Sequence, residues 1–309
     1  MNGADFDSLH QRLEKGLVLD GGLATELERQ GHDLRDPLWS ARLLLDDPAA
    51  IARVHRDYLK AGADCLTTAS YQATLPGLKA KGLSDDEAAA VLRKSVDLVR
   101  EVIEESDRQD VWIAASLGSY GAYLANGSEF RGDYALTADQ LYDFHAPRLE
   151  VLANARPTLL AAETIPLLRE AESLARWFEE SKVPAWISFS CRDESSTCGG
   201  DRIDDCADLL DSMPSVVAMG VNCTAPHLIQ PLIERIRERT RKPIVVYPNS
   251  GQIWDAGTRS WKGSANIQSF VELAREWKSA GASGIGGCCQ TTPEHIRQLS
   301  NAFKKTNDR

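Results

Sequence analysis

No stretch of this chain approaches the ~20 consecutive apolar residues that a transmembrane helix needs. The first fifteen residues are polar and mixed in charge, so they do not read as a secretory signal. Basic residues are in deficit: 35 Lys and Arg stand against 45 Asp and Glu, for a formal net charge of −10. That balance argues against a nucleic-acid footprint, which needs a basic face, and gives no reason to expect binding to an anionic membrane. Cysteine is scarce and odd in number, seven in 309 residues. In a long chain without a signal, that suggests a reducing cytoplasm rather than a disulfide framework. Histidine is scarcer still, with six residues. The glycine-rich phosphate fingerprint of dinucleotide-binding sheets is also missing after the first apolar run, where Asp20-Gly-Gly-Leu-Ala stands instead. What is present is a chain of enzyme size, with 43% hydrophobic and 26% charged residues, as in soluble globular proteins.

Short apolar, strand-like runs occupy 17–20, 64–68, 111–117, 158–163, 185–190, 215–221, 243–247 and 283–287. Helical stretches follow them at 47–60, 84–106, 137–155, 166–181, 204–211, 226–239, 265–280 and 292–303. Local chemistry marks several starts. Asp47-Pro48 offers an N-cap with proline at N1, and Ser84…Glu87 and Thr137…Gln140 are capping boxes. Eight strands alternating with eight helices predict a single-domain (β/α)8 TIM-type barrel over 1–309, with a doubly wound open sheet as the alternative. The connections entering strands are short (61–63, 182–184, 212–214, 281–282). Those leaving strands are long (69–83, 119–136, 191–203, 248–264). In barrel enzymes the loops leaving the strands build the active site.

The fold assignment gathers residues that no linear motif connects. Asp20, Glu163, Asn222-Cys223, Tyr247, Asn249 and Cys288-Cys289 all fall at or just past strand ends, and Tyr71 follows strand two closely. Adjacent cysteines alone are ambiguous, because free cysteine is often a small core residue. With Cys223 brought across the mouth, three thiolates are available to a metal such as zinc, with the fourth position open. No HxxxH-type pair lies near these positions, and His145 and His295 fall inside predicted helices. Three thiolates on Zn2+ leave net −1, a poor generator of hydroxide but a thiophilic centre. A substrate thiol in the fourth position would be deprotonated, which removes an ionisation cost of about 2 kcal/mol at pH 7 for a cysteine-like pKa. The set therefore points to alkylation of a thiol. Individually, Asp20 can be read as satisfying backbone donors in its own turn, and Tyr71, Trp39 and Tyr247 as half-buried aromatics. Glu163 is harder to dismiss, since an acid ending an apolar strand is costly without a partner. Cys65 and Cys206 read as core.

Five stretches carry a resemblance: Asp20-Gly-Gly-Leu-Ala-Thr-Glu-Leu, Thr67-Thr-Ala-Ser-Tyr-Gln, Gly220-Val-Asn-Cys, Val246-Tyr-Pro-Asn-Ser-Gly and Gly286-Gly-Cys-Cys-Gln-Thr-Thr-Pro. Together they resemble the zinc-dependent homocysteine S-methyltransferase family over 17–299. Leu38-Trp-Ser-Ala and Ser116-Leu-Gly-Ser-Tyr-Gly-Ala-Tyr-Leu are most similar to its bacterial S-methylmethionine-using branch. The resemblance implies Zn2+ on Cys223, Cys288 and Cys289. It implies that Asp20, Gly21 and Glu163 hold the amino-acid part of homocysteine, and that Tyr71 and Trp39 lie near the reacting sulfur and the donor. Asn222, Tyr247, Asn249 and Ser250 complete the expected substrate-binding set. Thr164 stands where betaine-using relatives resemble a tyrosine-bearing version, which weakens betaine as donor. Cys191 and Cys198 receive no role. The expected reaction is direct methyl transfer to homocysteine from S-methylmethionine or S-adenosylmethionine, giving methionine, by a monomer with no nucleic-acid or membrane partner. Two rivals are a barrel lyase or aldolase with a phosphate site at Gly284, Gly286 and Gly287, and a closed four-ligand metal-storage protein. The first needs a Schiff-base lysine or an acid/base pair, and no strand here ends in lysine.

Overall fold

Residues that alternate between two apolar environments make the strands. Leu17 and Leu19 join one buried cluster while Val18 joins the other, the period of two expected of a strand with both faces covered. The computed structural model describes residues 6–251, 253–255, 260–262 and 266–304. In chain order the strands are β1 (Leu17–Val18), β2 (Cys65–Thr67), β3 (Trp112–Gly118), β4 (Leu159–Ile165), β5 (Ala185–Phe189), β6 (Val216–Asn222), β7 (Ile244–Tyr247), β8 (Ile253–Asp255), β9 (Ser260–Lys262) and β10 (Ala282–Ile285). Eight of them form one sheet in the order β1-β10-β7-β6-β5-β4-β3-β2, with every pairing parallel. The remaining gap, between β1 and β2, is bridged in parallel at Leu19–Cys65, where the Asp20 N–H donates to Cys65 O at 3.1 Å. The sheet thus closes as the (β/α)8 barrel expected from the sequence.

The caps hold as read. Asp47 accepts from Ala50 N at the start of the Pro48–Ala61 helix, which ends on Gly62 at φ 99°. Both capping boxes are formed, at Ser84–Glu87 and Thr137–Gln140. Each satisfies two backbone donors that a helix end would otherwise leave orphaned. Cys65 and Cys206 are core residues, as expected.

The differences lie outside the eight repeats. The polar N-terminal stretch contains a helix, Phe6–Glu14, whose Phe6 and Leu13 pack on the interior cluster with Leu17, Trp186 and Val217. It plugs the end of the barrel away from the long loops. Phe6 and Leu13 are seven residues apart and fall on one helical face, a signal too short to outweigh the polar composition. The long loops are also less irregular than expected. Short helices lie at Leu23–Arg29, Leu75–Lys79 and Tyr120–Tyr123, and β8 pairs with β9 as a hairpin in the connection after β7, part of which lies outside the described residues. The last two barrel helices begin at Ile267 and Pro293.

His55 is wholly buried on the Pro48–Ala61 helix, with neither ring nitrogen hydrogen-bonded. Burial holds its pKa down at about 4. The unfolded chain takes up this proton near pH 6.5 and the native chain only near 4, so stability is lost as pH falls through 6.5 and on toward 4. His55→Leu is expected to raise Tm by about 2–4 °C near neutrality, because two unsatisfied nitrogens leave the core. It should also flatten the loss below pH 6.5, leaving the parallel contributions of His145 and His295, both likewise held at about 4. Calorimetry from pH 4 to 8 measures both effects.

Candidate metal centre and substrate pocket

Cys223 sits one residue past β6, and Cys288 and Cys289 three and four residues past β10. The strands are not neighbours, because β7 runs between them. Their sulfurs nevertheless converge: all three Sγ atoms lie within 4.8 Å of one another, and Cys223 Sγ is 3.5 Å from Cys289 Sγ. The backbone leaving β7 makes this possible. Tyr247 O accepts from Cys223 N at 3.1 Å and Pro248 O from Cys288 N at 2.8 Å, while Ser250 N donates to Cys289 O at 3.1 Å.

Close approach is enforced on the other side by β1. A Cβ on Gly22 would stand 2.5 Å from Cys288 O, and one on Gly21 would stand 2.9 Å from Thr291 Oγ1. Thr291 Oγ1 accepts from Gly22 N at 3.0 Å and donates to Cys288 O at 2.7 Å, and Tyr58 OH donates toward Gly22 O and Thr291 O.

The donor set suits a tetrahedral sulfur-ligated ion. Zn–S bonds of about 2.3 Å put sulfurs of one shell roughly 3.8 Å apart, compatible with this spacing. Packed together without a cation, the thiols do not ionise alike. Cys289 is held well below the ordinary thiol range by hydrogen bonds from Cys223 and Cys288, and Cys223 is pushed well above it. A thiolate trio without a counter-charge is costly in a buried site, and a divalent cation removes that cost.

Around the sulfurs the backbone takes unusual conformations. Of seven non-glycine residues with positive φ among the described residues, Trp39 (49°), Thr164 (58°), Cys223 (49°) and Gln290 (63°) belong to the mouth. A β-branched residue such as Thr164 in this region is strained and needs outside support. Asn222 supplies it. Its Oδ1 accepts from Thr164 N at 2.7 Å and from Ser188 Oγ at 3.0 Å, and its Nδ2 donates to Thr164 Oγ1 at 2.8 Å. The β4–β5 register shifts between Ala162 and Ile165, so β4 runs two residues beyond Glu163 rather than stopping at the acid.

The two acids of the mouth are buried, at 5% exposure for Asp20 and 7% for Glu163. Desolvation lifts Asp20 to about 7 against the hydrogen bonds of Thr67, whose N and Oγ1 reach its two oxygens at 2.8 and 2.7 Å. Asp20 therefore bonds across to β2 as well as to the backbone N–H of its own residue. Desolvation likewise lifts Glu163 to about 8, with Ser116 Oγ donating to its Oε1. Tyr247 OH meets Ser188 Oγ and accepts from Trp186 Nε1 at 3.2 Å inside the barrel. Trp39 and Tyr71 form an edge-on pair, centroids 6.3 Å apart. Tyr71 is pressed on Gly118, where a Cβ would lie 2.8 Å from the ring. Asn249 Oδ1 and Ser250 Oγ are buried with no partner.

Residues 17–303 match the family model described as Homocysteine S-methyltransferase. The chain belongs to that family. Homocysteine S-methyltransferase YbgG of Bacillus subtilis is 47% identical over 92% of this chain and 93% of its own length. The selenocysteine methyltransferase of Astragalus bisulcatus is 45% identical over 95% of this chain and 94% of its own. Among solved structures, the metallated form of the homocysteine methyltransferase MmuM from Escherichia coli superposes with a TM-score of 0.84 at 40% identity, over 93% of this chain and 96% of that one.

For a homocysteine S-methyltransferase chain, sequence reasoning reached the sulfurs and acids but not their supports. Thr67, Ser116, Ser188 and Thr291 are ordinary polar residues at strand ends, and only closure of the barrel shows whom they serve. Glu129, whose Oε2 is buried without a partner, was also missed, since it sits in a connection read as irregular.

Asn222→Ala removes three hydrogen bonds from a buried, strained junction and leaves Thr164 N unsatisfied. It is expected to cost about 2–4 kcal/mol, read as a lowered denaturant midpoint at unchanged slope. Asn222→Asp, which keeps the acceptor for Thr164 N, should cost less.

Proposed function

We propose that the chain transfers a methyl group from a sulfonium donor, S-methylmethionine foremost and S-adenosylmethionine next, to the sulfur of homocysteine, with Zn2+ held by Cys223, Cys288 and Cys289. The observation that carries this reading is the convergence of three sulfurs within 4.8 Å at the mouth, joined by no other ligand type among the described residues. Bound by this set, zinc would ionise a substrate thiol, which removes about 2 kcal/mol of ionisation cost at pH 7 for a cysteine-like pKa. The remaining work belongs to the chain. Asp20, Gly21 and Glu163 face the ammonium and carboxylate of homocysteine, the two acids offering buried charge that a cation compensates. Trp39 and Tyr71 offer aromatic faces to the donor's sulfonium, and Asn222 holds the Thr164 junction beside them.

The acceptor sulfur forms a bond to the methyl carbon as the donor's C–S bond breaks. The electron pair of that bond returns to the donor sulfur, which leaves as a neutral thioether. The thiol proton is lost before transfer, so no general base is needed at the methyl group. Alignment of the two sulfurs about the methyl carbon is then the main contribution of the protein. In this reading the enzyme acts as a single barrel domain, monomeric and cytoplasmic, and the likeness to a selenocysteine methyltransferase makes a selenol the natural second acceptor to assay.

Cys288→Ala is expected to lose bound zinc and at least about 100-fold in methionine formation from homocysteine and S-methylmethionine, because losing a ligand exceeds the effect of losing a ligand's support. Retention of both near wild-type levels would sink the metal reading. Rates with S-methylmethionine, S-adenosylmethionine and betaine, measured side by side, should fall in that order. The 3.5 Å between Cys223 and Cys289 sulfurs adds a redox expectation. Mild oxidation should release zinc and abolish activity, and reduction with added zinc should restore both.

A further inference from the structure

Asp20 and Glu163, the two acids of the mouth, are engaged by neighbouring side chains. Asp20 spends both oxygens on Thr67, and Glu163 accepts from Ser116. Glu129 differs: its own backbone N–H donates to the carboxylate, but Oε2 is buried with no hydrogen-bond partner. The residue belongs to a tight turn, Ser128–Phe130, locked in place by its backbone: Ser190 Oγ, at the end of β5, donates to Glu129 O at 2.8 Å, and a Cβ on Gly121 would stand 2.5 Å from Glu129 N. The neighbouring cation does not pair with it. The Arg131 guanidinium donates instead to Asp133 at 2.7 Å, to Asn126 O at 3.1 Å and to Ser128 Oγ at 3.2 Å. The turn stands at the mouth: Ser190, which holds it, directly follows β5, and the connection that carries it leaves β3 at Gly118, against which Tyr71 packs.

Two further polar atoms on the same rim are buried and unpartnered, Asn249 Oδ1 and Ser250 Oγ. A chain of hydrogen bonds joins their loop to that of Glu129. Asn249 N donates to Thr224 O, Thr224 Oγ1 accepts from Cys191 N, and the adjacent Ser190 holds Glu129. Buried acceptors are costly when unsatisfied. A sulfonium neutralises a carboxylate but has no N–H to donate. An α-ammonium neutralises the charge and offers three donors. Homocysteine's own ammonium has Asp20 and Glu163.

We propose that Glu129, with Asn249 and Ser250 beside it, is the donor-selecting residue, its carboxylate binding the α-ammonium of an S-methylated sulfonium amino acid. This inference rests on the sulfonium-to-homocysteine reading above. It accounts for selection against betaine, because betaine's quaternary nitrogen has no N–H to give Glu129.

The test pairs E129Q with a donor lacking the amine. S-methylmethionine is compared with 4-(dimethylsulfonio)butanoate, the same sulfonium acid without its ammonium, on the zinc-loaded wild type and on E129Q. The expected result is a donor KM raised about 10- to 100-fold in E129Q with S-methylmethionine, the range for losing a hydrogen bond to a charged group. The KM for homocysteine should stay within about twofold, and E129Q should lose nothing further on the desamino donor. A thermal melt guards against a structural explanation, since removing an unpaired buried charge leaves Tm equal or higher. Equal losses on both donors, a rise in the homocysteine KM, or no change with S-methylmethionine would each overturn the assignment. Should the wild type form no methionine from S-methylmethionine, the methyl-transfer reading fails. Calorimetric titration with that donor then decides Glu129 separately, by whether E129Q binds it more weakly.

Discussion

Everything at the mouth depends on four residues of backbone, Tyr247 to Ser250, hydrogen-bonded on both flanks. On one side they grip the segment after β6, through Cys223 N to Tyr247 O and Asn249 N to Thr224 O, each at 3.1 Å. On the other they grip the segment after β10, through Cys288 N to Pro248 O and Ser250 N to Cys289 O. Two strands that never pair are thereby brought to one point. The spacing tolerates little. Gly220 precedes this junction on β6, and a Cβ there would stand 1.7 Å from Val245 O, an overlap with backbone that no rotamer change relieves. A Cβ on Gly286 would stand 2.6 Å from Asp20 O, so the β1–β10 contact is equally close. Cβ atoms on Gly284 and Gly287 would stand 2.9 Å from Val245 Cγ1 and 2.4 Å from Thr291 Oγ1, so the three glycines offered for a phosphate cradle are all accounted for by close packing.

How far this was legible in the sequence follows from which interactions are periodic. Strand and helix alternation, caps and loop asymmetry are local patterns, and they led to the barrel and hence to Cys223, Cys288 and Cys289 sharing one mouth. The plug helix Phe6–Glu14 escaped because its apolar positions are few. The partners of the acids escaped for a different reason. Thr67 serves Asp20 from 47 residues away and Ser116 serves Glu163 from the neighbouring strand. Nothing in the spacing of a threonine or serine announces a partner that only barrel closure supplies. Asn222 illustrates the limit inside a motif. Its place beside Cys223 marked it for the substrate, but nothing in that place announces the three hydrogen bonds by which its amide braces Thr164 and Ser188.

Behind the mouth, polar groups are buried for rigidity. Arg148 is 1% exposed and donates to Gly118 O and to His145 Nδ1, while His145 Nε2 meets Glu170 Oε1 at 2.8 Å. With Nδ1 accepting from a guanidinium, the neutral ring carries its proton on Nε2 and gives it to the carboxylate. Glu170 also takes the hydroxyl of Tyr134 and the N–H of Tyr120. This network ties the connection after β3, which carries Glu129, to the helices Ala138–Asn154 and Leu168–Ser181. The long loop is therefore a fixed wall of the site, set against the end of β3 on which Tyr71 rests.

The ionisable groups at the mouth are all acids: three thiols and the carboxyls of Asp20, Glu163 and Glu129. Burial lifts Asp20 to about 7 and Glu163 to about 8, and a cation brought beside them favours their charged forms. A metal held by these three sulfurs would be poorly suited to making hydroxide, because sulfur ligands and neighbouring acids both disfavour adding another anion. It would suit the meeting of a thiolate with a sulfonium. In the proposed transfer the donor's positive charge is attracted on arrival, the reaction cancels it against the thiolate, and the neutral thioether that forms no longer benefits from the field that drew the donor in. One electrostatic arrangement thus favours the charged reactant over the neutral product, and it does so with groups whose positions are set by the barrel rather than by a moving part.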